Sequence, residues 1–212
     1  MLVEWGSDPR GVGMPDEAQA EVPGEADGPA PSDEELESRW KAGSAPAFAV
    51  LFERYHQRVY AFCLRLTRDA HLAEDIAQRA FLNLYRKPPP GTGRASFRTL
   101  IFTVARNEAL NELKRRGRRK AAALDQVPEE ADGRLPSPAQ EADAEEAARR
   151  VQEALSVLPP DEREIVLLRE VEGLTFREVT EITGLSRDAI RWRLARGLER
   201  LRSALLRARR GA

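Results

Sequence analysis

The sequence predicts an all-α fold of two small helical domains, the second of which contains a helix-turn-helix. Apolar side chains recur at spacings of three and four residues, which is the period of a helix buried on one face. No segment shows the apolar and polar alternation of a half-buried strand. Composition changes abruptly between helical stretches, so we expect domains over residues 33–117 and 143–208, joined by a flexible acidic linker over 118–142.

The formal net charge of −1 conceals a strong segregation of charge along the 212 residues. Residues 1–35 carry ten acids and one base, a net −9, and residues 121–146 carry eight acids and one base, a net −7. Residues 106–120 carry seven bases and two acids, a net +5, and residues 185–212 carry nine bases and two acids, a net +7. Two basic blocks separated by acidic segments are typical of nucleic-acid binding.

Residue counts exclude several classes of protein. Cys63 is the only cysteine, so an intrachain disulfide is excluded, and with two histidines it matches no zinc-ligand spacing. The sequence has no Gly-rich phosphate loop and no paired nucleophile and base, so we expect no enzyme, no cofactor and no metal. No apolar stretch reaches the ~18–20 residues that span a bilayer, and the acidic N-terminus is unlike a signal peptide. We therefore expect a cytoplasmic protein without membrane insertion.

The first domain is predicted to follow an acidic tail, residues 1–32, whose composition is typical of disorder. Ser32 and Glu35 have the spacing of a capping box and start a short helix. A longer helix is predicted over about 46–67 from one apolar stripe. The stripe consists of Phe48, Leu51, Phe52, Tyr55, Val59, Phe62 and Leu66.

Two further helices complete the first domain. Asp69 can cap a helix that runs to about Arg86. The run KPPPGTG at 87–93 must end it, because three prolines and two glycines cannot continue a helix. Ser96 then caps a last helix, which Gly117 is predicted to stop.

The second domain is predicted to begin near Asp143 with a helix that Pro159 and Pro160 end. Asp161 starts the next helix, and Gly173 stops it.

The stretch TFREVTEITGLSRDAIRWRLARGLERLR, residues 175–202, then predicts a helix-turn-helix. Thr175 and Glu178 form a second capping box. Gly184 permits a tight turn, and Ser186 caps the final helix.

The final helix has a leucine-rich side and an opposite side that carries Trp192. The apolar side comprises Ile190, Leu194, Leu198, Leu201 and Leu205. At ~100° per residue, Trp192 lies about 200° from Ile190, with Arg196 nearby and Arg191 and Arg193 flanking it. A major-groove reading helix explains this face, since arginine pairs with guanine and with phosphate. The alternative is a solvated arginine face with the indole packed on a neighbouring helix.

Three segments together resemble bacterial extracytoplasmic-function sigma factors. The first domain contains HLAEDIAQRAFLNLYRK and ASFRTLIFTVARNEALNELKRRGRR, and the second contains LSVLPPDEREIVLLREVEGLTFREVTEITGLSRDAIRWRLARGLERLR. The resemblance covers about residues 45–117 and 145–206. It implies a transcription-initiation subunit that binds core RNA polymerase and directs it to promoters. The first domain would read and melt the −10 element, and the second would read the −35 element as duplex. A cognate anti-sigma factor is a further implied partner.

The resemblance also implies a role for individual residues. Candidates for the −35 element are Ser186, Arg187, Arg191, Trp192, Arg193 and Arg196. Candidates for the −10 element are Arg94, Ser96, Phe97, Arg98, Arg106, Asn107, Asn111, Lys114 and Arg115. Candidate contacts with core polymerase are Glu74, Asp75, Gln78, Arg79, Phe81 and Leu82. The family usually has a small residue at position 192, and a large ring there excludes some base steps, so the −35 preference of the family does not carry over to this chain.

Other functions predict different behaviour. A helix-turn-helix repressor or activator that acts without polymerase would bind its duplex tightly alone, whereas a sigma factor binds promoters well within the holoenzyme. A protein-interaction module, such as an anti-sigma mimic, would tolerate loss of Arg191 and Arg196. An enzyme would need the catalytic constellation that the sequence does not offer.

Overall fold

A computed structural model describes residues 30–88, 95–122 and 151–210, and these ranges contain helices, turns and short connections but no strand. The all-α prediction is confirmed. The helices, numbered in chain order, are α1 (Asp33–Lys41), α2 (Ala45–Thr67), α3 (Ala70–Arg86), α4 (Phe97–Ala122), α5 (Pro160–Val166), α6 (Phe176–Thr183) and α7 (Arg187–Arg210). Residues 151–156 are also helical, and a π-helical turn, Leu167–Val171, continues α5. We call α1–α4 the first bundle and residues 151–210 the second bundle.

Some predictions fall outside the described residues. Residues 1–29 of the predicted disordered tail lie outside the described ranges. The predicted linker lies outside them from residue 123 onward. The start of the second domain near Asp143 also lies outside them, together with Arg94 of the proline-glycine loop.

The core of the first bundle is aromatic. Trp40 of α1 and Phe48 of α2 each form an edge-to-face pair with Phe97 of α4, with ring centroids 5.5 and 6.1 Å from that of Phe97. Phe62 of α2 and Phe102 of α4 form a further edge-to-face pair at 5.4 Å. Such pairs add about 0.5–1.5 kcal/mol each beyond the area they bury. These rings therefore set how α1, α2 and α4 pack.

The predicted helix starts of the first bundle are confirmed by their caps. Ser32 and Glu35 form the reciprocal capping box of α1. Asp69 Oδ1 accepts the amide of Leu72 at 2.9 Å at the start of α3. At the start of α4, Ser96 Oγ accepts the amide of Thr99 at 3.3 Å. Each side chain satisfies a backbone donor that the first turn of a helix leaves without a partner.

Gly117 does not stop α4, which continues to Ala122, so this prediction is wrong. A glycine costs a helix about 1 kcal/mol relative to alanine, and the arginines around it are strong helix formers. Glu112 also pairs with Arg115 at 2.7 Å and with Arg116 at 3.8 Å, which supports the turns before the glycine. Residues 118–122, which we had assigned to the linker, are therefore helical.

The helix-turn-helix of the second bundle forms as the sequence predicts. Thr175 and Glu178 make the capping box of α6. Gly184 follows α6 with φ of +69°, a left-handed conformation that glycine adopts without strain. Ser186 Oγ then accepts the amide of Ala189 at 3.2 Å and caps α7.

A glycine on α7 lets this helix cross α5 closely. A Cβ atom at Gly197 would lie 2.8 Å from Cγ2 of Val166, inside van der Waals contact. The buried side of α7 therefore runs through Ile190 and Gly197, and Leu198 turns outward with 41% of its surface exposed. Our placement of Leu198 on the core side is wrong, because the close helix crossing is centred on the glycine.

The two bundles pack against each other, and the described residues from Pro31 onward cluster as one compact unit. Gln152 Nε2 donates to the carbonyl of Leu64 at 3.1 Å. Arg163 Nη1 donates to the carbonyl of Leu66 at 3.1 Å. Both carbonyls lie in the last turn of α2, where the helix dipole is negative, and the carbonyl of Leu64 also accepts the amide of Arg68 at 2.8 Å. The second bundle thus supplies donors to the C-terminal end of α2.

Candidate nucleic-acid interface

Trp192 lies on the outer side of α7, with 56% of its surface exposed. The guanidinium carbon of Arg196, one turn further along, lies 4.6 Å from the centre of the indole. A cation this close to an aromatic face is attracted by the ring quadrupole and restricts both side chains. The sequence-based prediction that Trp192 faces away from the core is confirmed, and the alternative of an indole packed on a neighbouring helix is wrong.

Acidic residues at the start of α5 hold the arginines on that side of α7. Arg193 Nε lies 3.4 Å from Asp161, and Arg196 Nε lies 3.5 Å from Glu162. Arg200 Nε also approaches Glu162, at 2.9 Å. These pairs position the guanidinium groups before any ligand binds, and the Glu162 side chain is nearly buried beneath them.

A second group of arginines surrounds the ring of Phe176 at the start of α6. Arg169 lies 4.3 Å from the ring centre, Arg187 5.5 Å and Arg191 5.6 Å. The ring is half-buried, whereas Arg187 and Arg191 are exposed. Three guanidinium groups around one ring make the turn side of the helix-turn-helix a cationic surface suited to phosphate.

In the first bundle, four of the predicted −10 contacts share an exposed side of α4. They are Asn107, Asn111, Lys114 and Arg115. Arg106 Nη1 donates to Asn107 Oδ1 at 3.1 Å, which orients the amide. Amides can pair with base edges and cations with phosphates, so this side of α4 offers both kinds of contact.

Phe97 is not available to DNA, which corrects its assignment as a −10 contact. Its ring is 0% exposed and lies among Trp40, Phe48 and Tyr55. Its amide donates to Glu37 Oε2 at 2.8 Å. A ring in the first turn of α4 faces the core because that turn covers the space between α1 and α2.

Two other predicted −10 residues are occupied elsewhere. Ser96 Oγ caps α4. Arg98 Nη2 donates to the carbonyl of Glu172 in the second bundle. Arg98 Nη1 also lies 4.0 Å from Glu178.

Arg106 is also engaged by the second bundle. Its Nε and Nη2 donate to the two carboxylate oxygens of Glu164 at 2.8 and 3.0 Å.

The predicted polymerase contacts form one exposed side of α3. Glu74, Asp75, Gln78, Arg79 and Leu82 are all exposed there. The exception is Phe81, which is 3% exposed and packs on the rings of Phe48 and Phe52. Its assignment as a surface contact is therefore corrected to a core residue.

Sequence reasoning missed an aromatic groove beside this surface. Phe52 and His56 stack with ring centres 4.9 Å apart, and Tyr60 lies on the same groove between α2 and α3. Their spacing of four residues on α2 was the available signal, but we had assigned Phe52 to the buried stripe.

Two buried groups, Glu172 between the bundles and Cys63 in the first bundle, have shifted pKa values. Burial raises the pKa of Glu172 above its ordinary value, although the charges of Arg58 and Arg98 act in the opposite direction. Burial likewise raises the pKa of the Cys63 thiol to about 12, so this cysteine is an unreactive core residue. Arg58 and Glu172 are 114 positions apart, and no sequence pattern connected them.

The described residues contain no group of His, Cys, Asp and Glu side chains that could hold a metal ion. Across the same ranges, every helix is too short or too polar to cross a membrane.

Two family models match the chain. Residues 51–119 match Sigma-70 region 2, and residues 148–201 match Sigma-70, region 4. These ranges contain the exposed sides of α3 and α4 and the helix-turn-helix.

Curated relatives match most of the chain. The RNA polymerase sigma factor CarQ of Myxococcus xanthus is 36% identical over 79% of this chain and 94% of its own. The ECF RNA polymerase sigma factor SigW of Bacillus subtilis is 27% identical over 78% of this chain and 92% of its own. Among solved structures, the sigma factor RpoE in complex with the anti-sigma factor NepR from Bartonella quintana superposes with a TM-score of 0.62 at 24% identity. That match covers 74% of this chain and 96% of that one.

Proposed function

Since the chain belongs to the extracytoplasmic-function group of sigma-70 factors, we propose that its exposed cationic and aromatic side chains read the two elements of a promoter. The protein binds core RNA polymerase and directs it to promoter DNA. The observation that carries the −35 assignment is Trp192, exposed on the second helix of the helix-turn-helix with Arg196 stacked on it. An indole held at this position contacts a thymine methyl or sugar while the neighbouring arginines reach guanine edges and phosphates.

The residues that would contact the −35 duplex lie on two sides of the helix-turn-helix. Trp192, Arg193 and Arg196 supply base and backbone contacts along α7. Arg187 and Arg191, grouped around Phe176, supply phosphate contacts at the turn, with Ser186 at the N-terminus of α7. Phosphate contacts set the position of the protein, and base contacts set its specificity.

The exposed side of α4 is the proposed −10 surface, with Asn107, Asn111, Lys114 and Arg115 as its contacts. The exposed side of α3, with Glu74, Asp75, Gln78, Arg79 and Leu82, is the proposed polymerase surface. A mixed polar and apolar composition suits an interface that forms and dissociates.

We propose no covalent chemistry for this chain: binding energy from the promoter and polymerase contacts stabilises the melted promoter. Because polymerase and promoter are cytoplasmic in bacteria, we place the protein there. An anti-sigma factor is a proposed regulator, supported by the solved relative with such a partner.

Run-off transcription with core polymerase and a library randomised at the −35 element tests the proposal. We expect new start sites that depend on the added protein, and Trp192→Ser should change the preference at one or two positions by about 10-fold. Leu206→Ser is the matched control, because Leu206 is 48% exposed near the far end of the same helix. An absence of new start sites would contradict the function, and a Trp192→Ser profile equal to wild type would contradict the role of the indole. Tight specific binding by the protein alone would instead support a regulator that needs no polymerase.

A further inference from the structure

Three arginines of the first bundle face the second bundle and contact its glutamates. Arg58 comes from α2, and Arg98 and Arg106 come from α4. Arg98 and Arg106 are eight residues apart, which is about 12 Å along the helix axis. We call Arg58, Arg98 and Arg106 the arginine row. A single DNA strand presents a phosphate about every 3.4 Å along a duplex axis, so the row is long enough to follow several phosphates.

Arg106 makes the most complete of these contacts. Both carboxylate oxygens of Glu164 accept from it, at 2.8 and 3.0 Å, in a fork-to-fork pair. The two side chains are only 14% and 3% exposed. The guanidinium fork has the same geometry toward two oxygens of a phosphate group, so Glu164 occupies the position that a phosphate would take.

Glu172 engages the other two arginines. Arg58 Nη2 lies 3.0 Å from its carboxylate and Arg58 Nε donates to the same oxygen at 3.2 Å. Arg98 Nη2 donates to its main-chain carbonyl. The carboxylate is 4% exposed, whereas Arg58 keeps 43% of its side-chain surface exposed. Arg58 is therefore already partly exposed, and its guanidinium group is free to bind a phosphate as soon as the second bundle moves away.

We propose, on the premise that the first bundle binds promoter DNA, that the arginine row is a phosphate-binding site which Glu164 and Glu172 occupy when the bundles are packed together. Promoter DNA and the second bundle then compete for the same guanidinium groups. The packed arrangement is self-inhibited at this site, and DNA binding requires the bundles to separate. Arg58 becomes a DNA contact that the sequence did not suggest.

The charge pattern of the second bundle supports this competition. Its reading side on α7 carries the cations proposed to contact DNA, whereas the surface turned to the arginine row carries Glu164, Glu172 and Glu178. One bundle thus offers positive charge to DNA and carboxylates to the other bundle. Separation would free the arginine row and would move these carboxylates, which repel DNA phosphates, away from it.

Binding of the full-length chain to a labelled single-stranded DNA of mixed sequence, about 20 nucleotides long, tests the competition in the absence of polymerase. Glu164→Gln should tighten binding by about 10-fold, because the partner that holds Arg106 is lost. The control is Glu181→Gln, which removes the same charge from the same bundle. Glu181 pairs with Arg177 at 3.1 Å within α6, away from the arginine row, and we expect a change within about 2-fold.

Small-angle scattering of the same proteins supplies a second measurement, since separated bundles have a larger radius of gyration. A larger radius together with tighter binding in Glu164→Gln supports the proposal. Binding no tighter than that of Glu181→Gln, or an unchanged radius, overturns it.

A charge exchange separates competition from a simple change in net charge. In Arg106→Glu with Glu164→Arg, the pair re-forms with reversed polarity and the net charge is unchanged. The radius of gyration should return to the wild-type value, and DNA binding should remain weak. Binding as tight as that of Glu164→Gln would overturn the competition.

The new DNA contact is tested in the open protein. Arg58→Gln in the Glu164→Gln chain should weaken binding and reduce the slope of log K against log salt by about 0.7. An unchanged slope would remove Arg58 from the site. Run-off transcription with the wild-type chain distinguishes the proposed function from the proposed competition. If no transcription starts, the proposed function is contradicted, whereas the DNA-binding and scattering measurements decide the competition.

Discussion

Replacing Gly197 with alanine tests how closely α7 packs on α5. A Cβ atom at this position would lie 2.8 Å from Cγ2 of Val166 and 3.7 Å from Cβ of Glu162. Val166 is 3% exposed and β-branched, so its methyl groups have few alternative positions. The added methyl group must therefore push the two helices apart or strain the valine.

Two opposing effects determine the size of the change. Alanine favours a helix over glycine by about 0.8–1.0 kcal/mol. Overpacking a tight core site costs about 1–3 kcal/mol. We expect the second effect to dominate, so that Gly197→Ala lowers the free energy of unfolding by about 1 kcal/mol. In a Val166→Ala chain the clash is absent, and the same substitution should raise the free energy of unfolding by about 1 kcal/mol.

Denaturant unfolding of the four proteins, followed by far-ultraviolet circular dichroism, measures this coupling. Gly117→Ala is the control, because nothing lies within 4 Å of a Cβ there and the residue is exposed within α4. It should stabilise the protein by about 1 kcal/mol. If Gly197→Ala stabilises both the wild-type and the Val166→Ala chain equally, the helices have room for the methyl group and our account of the crossing is refuted.

Two more predictions concern the first bundle. Phe97→Ala should lower the free energy of unfolding by about 3–5 kcal/mol in the same assay, since it empties the aromatic core; a DNA-binding loss without destabilisation would contradict its burial. Burial raises the pKa of Asp33, but hydrogen bonds from Tyr55 and Arg54 and the charge of Arg54 hold it below 3.8 overall. The stabilisation that Asp33 contributes to the free energy of unfolding should be fully present above pH 3.8 and should decline as the pH falls through the lower pKa of the folded state. Unfolding of Asp33→Asn at the same pH values should lack this pH dependence.

Local patterns predicted the helices of the described residues well. The capping boxes at Ser32 and Thr175, the cap at Asp69 and the positive φ at Gly184 all depend on residues within four positions of each other. Such signals act through short hydrogen bonds and backbone sterics, which neighbours in sequence decide. The prediction that Gly117 ends α4 was wrong, because the strong helix formers around it outweighed one glycine.

In the candidate site too, the sequence predicted the exposure of some residues and not the burial of others. Exposure of Trp192 followed from helical periodicity, because an angle from the core is a property of one helix. Motif resemblance could not say whether Phe97 and Phe81 face DNA, polymerase or the core. A ring at a helix start or between two helices is buried or exposed according to what the other helices cover.

The sequence alone determined that the chain is helical, that it carries a helix-turn-helix with an outward indole, and that its motifs are those of a sigma factor. Only the tertiary structure placed Arg106 on Glu164 and Arg58 on Glu172, pairs separated by 58 and 114 positions. A periodic pattern records which side of a helix is apolar, but it carries no information about which distant helix that side meets. Charge pairing between the bundles depends on which helices pack together, so only the tertiary structure reveals it.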